Sequence, residues 1–114
     1  MPKDKIVIEY KGSYYIVSIG DYRLQDDNFP TFKCINLCNV EKLSDEFEIT
    51  KHPLEYINKG EFNARHYSEG IVFIKEFPYH QGIITPLAQK GIITNTGKLV
   101  RGMHVCQLNR NCYE

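Results

Sequence analysis

A chain of 114 residues, 42% apolar and 25% charged, has the size and composition of one folded domain with a core of its own. Its 14 basic and 14 acidic residues cancel to a formal net charge of zero, which argues against a partner held mainly by phosphate neutralisation. No apolar run approaches the roughly 18 residues of a membrane-spanning helix, and Met1 to Lys5 are followed by no signal-type apolar core. The expectation is a cytoplasmic protein whose four cysteines are reduced thiols.

Lys5 to Tyr10 and Ser13 to Ile19 are rich in β-branched and aromatic residues and flank Lys11-Gly12, which reads as a hairpin. Gly20 to Pro30 is a polar loop crowded with Asp21, Asp26, Asp27 and Asn28. Thr31 to Leu37 reads as a strand whose imperfect alternation suits cover on both faces. Glu46 to Thr50 alternates Phe47 and Ile49 with polar residues, as a half-buried strand does. Pro53 and Gly60 punctuate a short helix with Leu54 and Ile57 on its apolar stripe. Ile71 to Phe77 is the most hydrophobic strand, and Pro78 stops it. A second short helix is expected with Thr85 as N-cap, Pro86 in its first turn and Gly91 as a left-handed cap. Thr94 to Gly97 reads as a turn, Lys98 to Arg101 and Met103 to Leu108 as a strand pair around Gly102, and residues 109–114 as a polar tail. No repeat, linker or low-complexity tract divides the chain.

Several of these features in order resemble one family of small proteins. They are a strand ending Ile35-Asn36-Leu37 after a polar, Pro-containing approach, and Ile71-Val72-Phe73-Ile74 ahead of a short helix. A Lys90-Gly91-Ile92 helix end and a Thr96-Gly97-Lys98 turn before Gly102 to Leu108 complete them. The stretch from Tyr14 to Leu108 is similar to the family filed as domain of unknown function 4313, carried by phages, plasmids and conjugative elements of anaerobic bacteria. Val40 to Glu69 is longer than that family's connection, and Lys75-Glu76-Phe77-Pro78 stands where the family has an acidic, Asn-rich turn. The resemblance implies a mobile-element setting and a small α+β fold, and it implies no activity.

Cys34-x3-Cys38 and His104-x-Cys106 have the residue types of a zinc site, but Cys34 sits inside an apolar strand without a knuckle glycine. The bland reading makes Cys34 and Cys106 small core residues and Cys112 the exposed thiol. His52, His66, His80 and His104 select no cysteine or serine partner by spacing. The Asp21 to Asn28 loop lacks the alternating ligands, glycine and terminal glutamate of a calcium loop. No cofactor or metal and no catalytic residue is assigned. Surface recognition remains, through residue types enriched in interface hot spots: Tyr22, Arg23, Arg65, Tyr67, Tyr79 and Arg101.

The expected fold is α+β, one antiparallel sheet of about five or six strands with one or two short helices on one face. The leading function is a non-enzymatic accessory protein of a phage or mobile element that binds a host or element-encoded protein, as an anti-CRISPR-like or anti-restriction-like inhibitor does. Direct nucleic-acid binding through Lys98, Arg101 and Arg110 is the second reading, and a small enzyme with a cysteine or metal centre the third. Pairing of two sheet edges is a route to a homodimer.

Overall fold

The computed structural model of the chain describes residues 6–22, 32–51 and 70–112. These form β1 (Ile6–Tyr10), β2 (Ser13–Tyr22), β3 (Phe32–Asn39), β4 (Glu46–Glu48), β5 (Ile71–Ile74), α1 (Ile84–Gln89), β6 (Ile93–Val100) and β7 (Met103–Leu108), then a 3-10 turn at Arg110–Cys112. Pairing is antiparallel throughout, in a four-stranded sheet β1-β2-β3-β4 and a three-stranded sheet β5-β7-β6.

This corrects the expected α+β class with its single sheet. The described residues are mostly strand, split between two sheets, with one short α-helix and one 3-10 turn. The helix read at Pro53 to Gly60 lies outside the described residues. The split has a local cause at Thr50. The chain first pairs with β3, where the Ile49 amide donates to the Ile35 carbonyl. It then turns to the other sheet, where Thr50 bridges to Ile74 and the Lys51 amide donates to the Phe73 carbonyl. At the crossing, the buried Thr50 hydroxyl accepts the Ile35 amide hydrogen at 3.2 Å and donates to Glu48 at 3.1 Å. A backbone donor that would lose its ladder partner is thereby satisfied by a side chain.

The register puts Ile8, Tyr10, Tyr15, Val17, Ile35, Leu37 and Phe47 on one face of the first sheet. Val72, Ile74, Ile93, Cys106 and Leu108 share one face of the second. These faces meet in a common core closed by Ile83, Ile84, Leu87 and Ile92. The helix packs against β6 and β1. Phe73, Met103 and Val105 are buried on the opposite face of the three-stranded sheet.

The local readings fare unevenly. The β1–β2 hairpin forms at Lys11-Gly12, both left-handed (φ 51° and 79°), as the tight hairpin turn requires. The helix begins two residues earlier than expected, with Ile83 rather than Thr85 at its N-cap and no side-chain cap. Pro86 falls in its first turn, where the missing N–H has no helical partner to lose, and Ile84 and Leu87 hold it by burial. Gly91 ends it with φ 72°. Strand β5 stops at Ile74, three residues before the expected end. Thr94 to Gly97 is not a turn but an irregularity inside β6. There Thr96 donates to the Val105 carbonyl, and the Gly97 amide bonds the Asn95 side chain at φ 85°. Cys112, expected to be exposed, packs against the core. Among the described residues, no helix is long and apolar enough to cross a membrane.

Candidate functional site: the loop between β5 and α1

The most distinctive surface is the loop of residues 75–83. It is tied down along its length. The His80 amide donates to the Glu76 carbonyl at 2.7 Å and the Ile83 amide to the His80 carbonyl at 3.1 Å. The Glu76 carboxylate accepts the Gly82 amide at 2.5 Å. From the first sheet, the Tyr10 hydroxyl donates to the Gln81 carbonyl at 2.7 Å. Buried Ile83 closes the segment into the core.

The underside of this loop continues a run of rings across the core-facing side of the first sheet. His80 stacks on Phe47, with centroids 5.0 Å apart. Phe47 meets Tyr15 edge-on at 5.5 Å, and Tyr15 meets Tyr10 at 6.4 Å. Lys11 sits over the Tyr10 ring at 5.2 Å. Strand register explains the row, because Tyr10, Tyr15 and Phe47 all point to one face. Burial holds the His80 imidazole below its usual range, and the charges of Lys51 and Lys11 push it the same way.

The upper side of the loop is the reverse. Phe77 and Tyr79 flank Pro78, whose preceding peptide bond is cis. They are 68% and 80% exposed, the largest values among the exposed large hydrophobic residues described. The loop thus has an anchored back and two unburied rings at the front.

A polar group lies behind it. The Glu76 carboxylate is 3.9 Å from His104 Nε2, and His104 Nδ1 is 3.5 Å from the Asn95 side-chain nitrogen. A histidine between a carboxylate and an amide resembles an oriented base, but among the described residues no activated nucleophile accompanies it. The nearest thiol along β7, Cys106, is fully buried. Its pKa is pushed up to about 11 by burial, with the negative charge of Glu76 adding to the effect. Burial likewise raises the Cys34 thiol, against an opposing hydrogen bond from Gly20. Buried thiols held protonated are poor nucleophiles and poor ligands.

The candidate zinc ligands do not converge. Cys34 and Cys38 share a face of β3 but stand about 13 Å apart along it at the usual rise, far more than one ion can bridge. His104 and Cys106 belong to the other sheet. No three of His, Cys, Asp and Glu come together among the described residues.

Of the six residues expected to form a binding surface, Tyr79 is on the loop and fully presented. Arg101 is exposed in the β6–β7 turn with a left-handed backbone (φ 50°). Tyr22 is placed by its backbone alone, as the last residue of β2 opposite Phe32. Arg23, Arg65 and Tyr67 lie outside the described residues. The sequence reading missed Phe77, which it assigned to a strand, and the supporting ring of His80. The available signal was three aromatic residues clustered around Pro78.

Comparison with protein-family models, with curated proteins and with solved structures gave no match.

Proposed function

We propose that this is a non-enzymatic protein that docks on another protein through Phe77 and Tyr79. The observation that supports this is the pairing of two large unburied rings with a loop fixed from beneath by Tyr10, Phe47 and the Glu76 carboxylate. Aromatic side chains on a pre-ordered loop give up little conformational freedom on binding and supply much of an interface's energy. The likeness to a mobile-element family supports a host or element-encoded partner in the cytoplasm. A host defence component, such as a nuclease or its nucleic-acid complex, is the first target to try.

The test compares wild-type bait with a Phe77→Ala/Tyr79→Ala variant in bacterial lysate. A specific protein retained by the first and lost by the second, at equal thermal stability, is the expected result. Equal recovery by both, or no specific protein at good yield of folded bait, contradicts it.

One observation favours nucleic acid as a second reading. Residues 70–112 carry Lys75, Lys90, Lys98, Arg101 and Arg110 against a single acid, Glu76. A gel shift at low salt that weakens steeply as salt rises supports this reading, and its absence removes it.

A further inference from the structure

We propose that the Phe77–Tyr79 loop receives an acidic protein segment, its apolar side chains meeting the two rings and its carboxylates meeting Lys11, Lys51 and Lys75. This rests on the protein-binding reading above and adds the partner's chemistry.

Three lysines flank the loop that bears the rings. Lys75 opens the loop, two residues before Phe77. Lys51 is joined to the strand that feeds the loop, its amide donating to the Phe73 carbonyl at 2.9 Å. Lys11 covers the Tyr10 ring, and Tyr10 in turn bonds Gln81 within the loop. The charges that act on the His80 imidazole are these same ammonium groups, Lys51 first and then Lys11. The loop's own carboxylate, Glu76, is directed to the Gly82 amide on one oxygen and toward His104 on the other. On the first sheet, the register sends Glu9, Glu46 and Glu48 to the face opposite Tyr10, Tyr15 and Phe47. A chain of net charge zero therefore gathers lysines about the loop that carries its exposed rings.

That combination fits carboxylates interspersed with apolar side chains. Opposite charge at the rim of an apolar patch steers encounter and sets partner choice. Single-stranded nucleic acid would also stack on aromatic rings, but it is tracked by a continuous basic groove. Three lysines about one short loop match a short acidic peptide better.

The experiment is selection of a displayed library of random dodecapeptides on the full chain. The expected winners carry net negative charge and at least one large apolar residue. A synthetic copy of a winner should lose about tenfold in affinity on a Lys11→Asn/Lys51→Glu variant. It should weaken similarly between about 50 and 300 mM salt. Asparagine is chosen because residue 11 holds a left-handed conformation (φ 51°) that it tolerates.

Neutral or basic winners, or no enrichment, would overturn the proposal. Affinity unchanged by the lysine substitutions but abolished by Phe77→Ala/Tyr79→Ala would remove the acidic partner and leave the docking loop standing. Affinity unchanged by Phe77→Ala/Tyr79→Ala would remove both. Displacement of the peptide by oligothymidylate at lower concentration than by the peptide itself would reassign the patch to nucleic acid.

Discussion

The His80 imidazole lies flat on the Phe47 ring, 5.0 Å between centroids and 4° from parallel. This contact joins the loop that bears Phe77 and Tyr79 to the short strand β4, and so to the sheet whose edge β4 forms. Phe47→Ala should free the loop from its support at a cost of roughly 1–3 kcal/mol, from lost ring stacking and a half-filled site. Urea denaturation measures the loss. Amide exchange at His80, Gly82 and Ile83, whose N–H groups are bonded within the loop, should speed up more than exchange in β7.

The same stack carries a pH dependence. Burial and two lysines depress the His80 pKa, so the unfolded chain binds the proton more readily than the folded one. Stability from this group is complete above the unfolded value near 6.5 and is lost as pH falls through the folded value. A thermal melting series from neutral pH downward should therefore show wild type falling faster than His80→Phe, which keeps a stacking ring and cannot charge. Identical slopes would show that the imidazole does not titrate this way.

Thr50 fixes where the chain changes sheets. Thr50→Val keeps the shape but removes the acceptor for the buried Ile35 amide, and should cost about 1–3 kcal/mol. Thr50→Ser, which retains the hydroxyl, should recover most of it. Denaturation midpoints for the two variants provide the check.

How much of this was readable in the sequence follows from how local each determinant is. The β1–β2 hairpin was legible because Lys11-Gly12 lies between the strands it joins, and the β6–β7 pair because Gly102 does the same. The two-sheet division was not, since Glu46 to Thr50 looks like one strand while its two ends pair with β3 and β5. Nor was the row of rings. Strand register brings Tyr10, Tyr15 and Phe47 to one face, and His80 joins them from the loop far along the chain. Phe77 follows the apolar run of β5 after only Lys75 and Glu76, and the pairings that confine the strand to Ile71–Ile74 are made to distant partners.

The cysteines offer a chemical test of the reading without a reactive centre. At pH 8 in the native protein, Cys34 and Cys106 should resist a disulfide-exchange reagent, because both are buried and both thiols are held protonated. In denaturant all four should react. Peptide mass mapping after a short pulse tells the sites apart, and rapid labelling of Cys106 would point instead to an accessible thiolate beside His104.

The most direct measurement places a photo-reactive benzoylphenylalanine at position 79 and, separately, at position 14. Tyr14 is also exposed, at 52%, but faces away from the loop on the opposite side of the first sheet. Irradiation in bacterial lysate should give a discrete cross-linked protein from position 79 and none from position 14. Cross-links from position 14 alone, or none from position 79 while the bait stays folded, would contradict docking through Phe77 and Tyr79.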